Sequence, residues 1–153
     1  MKYYIIAGEA SGDLYGSRLI DEIKSIDREA NIRFWGGDKM ILSGGFNVKH
    51  IKELAFMGFY EVFKNIFTIR KNINFCKKDI CDFNPDKIIY IDYPGFNLLI
   101  SKWAKKKGFK NYYYISPQIW AWKENRIKTI KENIDKLYVI FPFEREYYSD
   151  RHN

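Results

Sequence analysis

A doubly wound, mainly parallel α/β sheet is the fold this sequence predicts, and three observations predict it. Short apolar runs such as "YYIIAG", "IRFWGG", "DKIIYID" and "KNYYYIS" read as strands buried on both faces. Segments of helical period separate them, as in "LYGSRLIDEIKSI", where Leu14, Leu19, Ile23 and Ile26 mark one apolar stripe. The length, 153 residues, is that of one domain. Strands alternating with helices give a parallel sheet covered on both sides. Ligands of such sheets bind beyond the carboxyl ends of the strands.

Taken in order, the first strand is expected at 3–8, closed by Gly8, and "EASGD" supplies a turn into the first helix, with Ser11 or Asp13 as its N-cap. Residues 32–37 read as the second strand, "DKMILSGG" as a short helix ended by Gly44 and Gly45, and "FNVKHI" as the third strand. Residues 59–75, "FYEVFKNIFTIRKNINF", make a helix whose apolar positions cover about half of the helical wheel. Asn84-Pro85 announces a strand at 86–92. A Pro-Gly turn then leads to a helix at 98–108, a strand at 110–116, a helix at 123–134 and a last strand at 136–141.

Composition narrows the class. A hydrophobic fraction of 46% with 18% aromatic residues excludes disorder and fibrous repeats. No run approaches the ~18 apolar residues of a spanning helix, and the N-terminal apolar stretch is too short for a signal peptide. Cys76 and Cys81, with His50 and His152 remote from them, form neither a zinc spacing nor a disulfide framework. Both cysteines are expected to be reduced and structural, in a cytoplasmic protein. The net charge of +7 is local: residues 101–136 hold ten Lys or Arg against three acids, and elsewhere the charges cancel. That excess suits nucleic acid, an acidic bilayer or a phosphorylated small molecule, or else is a solvated helix face.

The chemistry-bearing residues follow strands. "GEASGDLYG" lacks both the dinucleotide and the P-loop glycine spacings, yet it offers free N–H groups at a helix start, and is otherwise a tight turn. The stretch Trp35 to Gly37 follows the second strand. Asp92 ends a central strand, with Asn97 beyond the Pro-Gly pair, and either serves as a general base or caps the next helix. Glu9 is a second carboxylate brought to the same edge. The wide apolar stripe of 59–75 is either core or a surface dipping into a membrane interface. "ISPQIWAW" places Trp120 and Trp122 two residues apart, so they cannot share a helical face, and one of them is free to line the crevice.

Together "AGEASGDLYG", "ELAFMGFYEV", "IDYPGFN", "YYISPQIWAWKENR" and "FPFEREYY" resemble, in order and spacing, the N-terminal half of lipid-A-disaccharide synthases. The resemblance implies the Rossmann-like N-terminal, acceptor-side domain of an inverting GT-B glycosyltransferase. It also implies transfer of 2,3-diacylglucosamine from its UDP conjugate to 2,3-diacylglucosamine 1-phosphate, forming a β-1,6 link. By position it makes Asp92 the candidate base, with Glu9 beside it. Ser11, Gly12, Asp13, Asn97, Ser116, Gln118, Trp122 and Arg126 become substrate-binding candidates. Phe59, Tyr60, Val62, Phe63, Ile66 and Ile69 become a membrane-docking surface at the inner face of a Gram-negative inner membrane. No cofactor, metal or nucleic acid is implied; the basic region finds its partner in an anionic membrane surface or the acceptor's phosphate. Where many members carry Pro-Asp-Phe-Asn, this chain has Gly95 in place of the acid. The UDP-sugar-binding C-terminal domain is absent from the chain, so turnover by this domain alone is not expected. The alternatives are a non-catalytic lipid-binding module of the same fold and an unrelated nucleotide-binding domain.

Overall fold

The computed structural model describes residues 1–54, 66–116 and 125–150. Its centre is a six-stranded sheet of β1 (Lys2–Ala7), β2 (Asn31–Gly36), β3 (Phe46–His50), β4 (Lys87–Ile91), β5 (Asn111–Tyr114) and β6 (Lys136–Tyr138). The order is β3-β2-β1-β4-β5-β6, every neighbouring pair parallel. The chain begins in the middle and winds outward both ways, so the order reverses between β1 and β4. A crevice opens there, at the carboxyl ends of the two strands.

The described helices are α1 (Ala10–Ile26), α2 (Asp38–Ser43), α3 (Ile66–Phe83), α4 (Pro94–Lys106), α5 (Asn125–Asn133) and α6 (Pro142–Asp150). The period-two alternation of each strand sorts its side chains between two cores. Tyr4 and Ile6 of β1 and Ile88 and Tyr90 of β4 pack with Cys76 and Ile80 of α3 and Ile100 and Ala104 of α4. Their neighbours Tyr3, Ile5, Ala7, Ile89 and Ile91 turn the other way, onto Ile20 of α1 and Met40 of α2. Each such fully buried side chain contributes about 1.5–3 kcal/mol of transfer free energy, which is why these strands are apolar throughout.

A chain of paired polar groups runs through the first core. The indole N–H of Trp35 donates to Tyr4 Oη at 2.9 Å, whose O–H in turn donates to Asp79 at 2.9 Å. Arg33 closes the chain on Asp79 at 3.2 Å and lies against the rings of Phe46 and Phe83. Trp35 is therefore core, not crevice lining, and is fully buried.

Several boundaries differ from the expectation. The N-cap of α1 is Glu9, without a side-chain cap bond, and Ser11 and Asp13 lie inside the first turn. Asp13 caps another helix instead: its carboxylate accepts from the N–H groups of Gly37, Lys39 and Met40 at 2.7, 3.1 and 3.0 Å, the opening turn of α2. The Pro94-Gly95 pair is the first turn of α4, because a proline at the first helical position loses no hydrogen bond. α3 continues to Phe83, eight residues beyond the predicted end, and its predicted start lies outside the described residues. β5 and β6 are shorter than predicted. α6 was not anticipated. Cys76 is buried as expected, but Cys81 faces solvent.

Candidate functional site

Asp92 follows the last residue of β4, and Glu9 follows β1 by one residue, so the two carboxyls flank the switch point of the sheet. They lie close enough that a protonated Asp92 can donate to Glu9. Burial first, and the adjacent Glu9 charge second, push the Asp92 carboxyl up to about 6. The same two influences raise the Tyr93 phenol to about 12. A carboxyl held near 6 is mostly ionised at neutral pH and is still basic enough to take a proton.

The backbone that presents Asp92 is strained and pinned. Asp92 and Tyr93 are both left-handed, with φ of 44° and 49°. Such conformations in non-glycine residues cost of order 1–3 kcal/mol each. Two donors hold the Asp92 carbonyl: Asn97 Nδ2 at 2.7 Å, and the Tyr113 hydroxyl. Asn97 Nδ2 also reaches the carbonyls of Ile6 and Ile91 at 3.4 Å each, tying the ends of β1 and β4 together. The Tyr93 ring packs where a Cβ on residue 8 would fall, so only glycine fits at Gly8.

Beside Asp92 lies a pocket of about 310 Å³, lined by Asp92, Pro94, Ile115, Ser116, Arg126 and Glu144 together with Ile140 and Phe141. Ile115 is left-handed at φ 65°, a genuine outlier for a β-branched residue, and it turns the chain out of β5 into Ser116. Glu144, 1% exposed, accepts from Ser116 Oγ at 2.8 Å and from the N–H groups of Ile140 and Phe141 at 3.2 and 3.1 Å. The pocket thus combines two carboxyls, a guanidinium, a hydroxyl and an apolar rim, donors and acceptors able to orient a polar ligand.

The sequence profile described as lipid-A-disaccharide synthetase matches residues 3–152. The chain belongs to this family. A lipid-A-disaccharide synthase of Trichlorobacter lovleyi is 43% identical over 144 residues, covering 94% of this chain and 38% of that protein. One from Coxiella burnetii is 41% identical with the same coverage. The chain therefore spans a little over a third of the length of these curated relatives. A solved UDP-GlcNAc 2-epimerase from Neisseria meningitidis, bound to UDP-GlcNAc, superposes with a TM-score of 0.65 at 10% identity, over 100% of this chain and 43% of that one, which establishes a shared fold.

Against this lipid-A-disaccharide synthetase background the predicted residues separate. Asp92, Ser116 and Arg126 line one pocket, with the Glu9 charge beside Asp92. Ser11 is exposed in the first turn of α1, near Glu9 in sequence. Gly12 is buried, with Ala7 where a side chain would extend. Asp13 is 4% exposed and engaged by three amides, and Asn97 is wholly buried beneath the strand ends, so each shapes the edge from below and does not face the pocket. Gln118, Trp120 and Trp122, and Phe59, Tyr60, Val62 and Phe63, lie outside the described residues. Of the docking surface, Ile66 opens α3 and Ile69 is half-buried, while Phe67 is 84% exposed. Phe67 belongs to the apolar stripe of 59–75, whereas Glu144 was not singled out. "FPFE" carried the signal for Glu144: Pro142 at the first position of a helix and a Glu at its third are a helix-start signature.

Proposed function

We propose that this chain is the acceptor-side domain of a lipid-A-disaccharide synthase, acting with a UDP-sugar-binding domain of the kind its longer relatives have room for. The observation that carries the proposal is the Asp92–Glu9 carboxyl pair at the switch point, with Asp92 at about 6, opening on a pocket with Ser116 and Arg126. In this reading the 6-hydroxyl of 2,3-diacylglucosamine 1-phosphate lies against Asp92, which takes its proton. The freed oxygen attacks the anomeric carbon of UDP-2,3-diacylglucosamine from the face opposite the leaving UDP. One C–O bond forms, one breaks, and the configuration inverts. Glu9 holds Asp92 partly basic by adding negative charge beside it, and Arg126 provides a cation for the acceptor's phosphate.

The exposed Phe67 supports docking of the α3 start on a lipid surface, from which both acylated substrates would be drawn. Among the described residues no helix is long and apolar enough to cross a membrane. The test of the catalytic assignment is Asp92→Asn in an enzyme completed with its UDP-sugar-binding domain. Transfer is expected to fall by a factor on the order of 100 or more with little change in acceptor KM. A rate near that of the unmodified enzyme removes Asp92 as the base. The alternative, a non-catalytic lipid-docking module, draws on the same Phe67, and it predicts vesicle binding with no transfer even in the completed enzyme.

A further inference from the structure

We infer that Glu144 is a positioning residue that turns the hydroxyl proton of Ser116 away from the pocket, so that Ser116 meets the ligand only as a hydrogen-bond acceptor. The inference rests on the reading of this pocket as the acceptor-sugar site and adds to it a rule for which ligand groups it admits.

A serine hydroxyl has one proton to donate and two lone pairs to accept with. At 3% exposure Ser116 has little choice of partner, and its proton goes to Glu144 Oε1 at 2.8 Å. Glu144 cannot swing away. Its other oxygen holds the N–H groups of Ile140 and Phe141, at the start of the helix that carries it, and the side chain is 1% exposed. The carboxylate therefore ties the turn after β5 to the turn after β6, and both turns line the pocket. What remains on Ser116 for an occupant is a lone pair. The left-handed Ile115 immediately before it holds the residue in this place. A ligand must then present a proton there, from a hydroxyl or an amine. An isostere that fits the space but cannot donate leaves the buried oxygen unpaired and is rejected.

Glucosamine 1-phosphate, the water-soluble core of the proposed acceptor, is the probe, titrated into the 153-residue chain and followed by NMR. It is compared with analogues in which each hydroxyl, and then the 2-amine, is in turn replaced by fluorine, which cannot donate. One position is expected at which fluorine weakens binding by about threefold to tenfold. That penalty should vanish in Ser116→Ala. It should vanish also in Glu144→Gln, where the amide oxygen must serve Ile140 and Phe141, the amide N–H2 faces Ser116, and the serine proton is turned into the pocket. A residue that merely held the fold would not make the fluorine penalty depend on an acid-to-amide change. If no fluorinated position is penalised, or if the penalty survives in Ser116→Ala, the inference is overturned while the acceptor-site reading stands. Failure of glucosamine 1-phosphate to bind the unmodified chain overturns both. Should Glu144→Gln not fold, the Ser116→Ala comparison still decides.

Discussion

Asp92 carries a free-energy cost that is visible as a pH dependence. In the folded chain it keeps its proton up to about 6, whereas an unfolded aspartate releases it near about 4. Between those values the folded state binds more protons than the unfolded one, so stability falls as pH rises from about 4 to about 6 and stays lower above it. Asp92→Asn should flatten that part of the stability curve and raise unfolding free energy at neutral pH by roughly 1–2 kcal/mol, measured by urea denaturation across the range. The same carboxyl predicts an acid limb in the transfer rate of the completed enzyme, falling about tenfold per unit below a pH of about 6, with a midpoint that drops in Glu9→Gln. One residue away, Gly8 makes a purely steric prediction. A methyl there overlaps the Tyr93 ring, so Gly8→Ala should cost about 1–3 kcal/mol, and much of that should return when Tyr93 is also cut to alanine. The placement of Asp92 and Glu9 was legible from the sequence because residues that follow central parallel strands come to the crevice edge. Their influence on each other was not legible, since it depends on strand order.

At the level of elements, periodicity located each of the described strands, and capping chemistry misled. Asp13 sits where a helix N-cap is sought, yet the chain after Glu9 is already helical, and the carboxylate reaches across to the orphan amides of α2. The sequence distance of 24 residues between Asp13 and Gly37 hides that pairing. Asp13→Ala leaves three amides at the start of α2 without an acceptor and should lower unfolding free energy by about 2–4 kcal/mol, without weakening glucosamine 1-phosphate binding, since the carboxylate faces Gly37 and not the pocket. A loss of affinity with unchanged stability would instead restore Asp13 to the binding site. α4 shows the same lesson in reverse. Pro94-Gly95 reads as a turn by composition, but a proline costs a helix nothing at its first position. The helix-start pattern of "FPFE" stood in the sequence unread, and Glu144, which it would have pointed to, ties two turns only because β5 and β6 are neighbours.

For the whole molecule, the winding of the chain decides how its charge can act. Each α/β unit sends its helix back antiparallel to the strands, so α3 begins at the same edge as Asp92 and α4 ends at the opposite edge. Phe67, 84% exposed, stands one residue into α3, with Arg70 and Lys71 exposed about one turn beyond. Lys106 and Lys107, part of the basic run that first suggested an acidic bilayer, close the 13-residue α4. A helix of that length puts them roughly 20 Å below the site edge. At physiological ionic strength charges are screened over about 8 Å, so lysines at that depth contribute little to a membrane touching the site edge. Co-sedimentation with vesicles containing anionic lipid should therefore discriminate sharply. Phe67→Ser is expected to weaken binding by roughly tenfold, the loss of one partly inserted aromatic ring. Lys106→Gln with Lys107→Gln should change it by less than about twofold. The opposite ranking would move the docking face to the lower edge and separate the lipid surface from the pocket that Asp92 and Ser116 share, leaving the proposed acylated substrates no short path to Asp92.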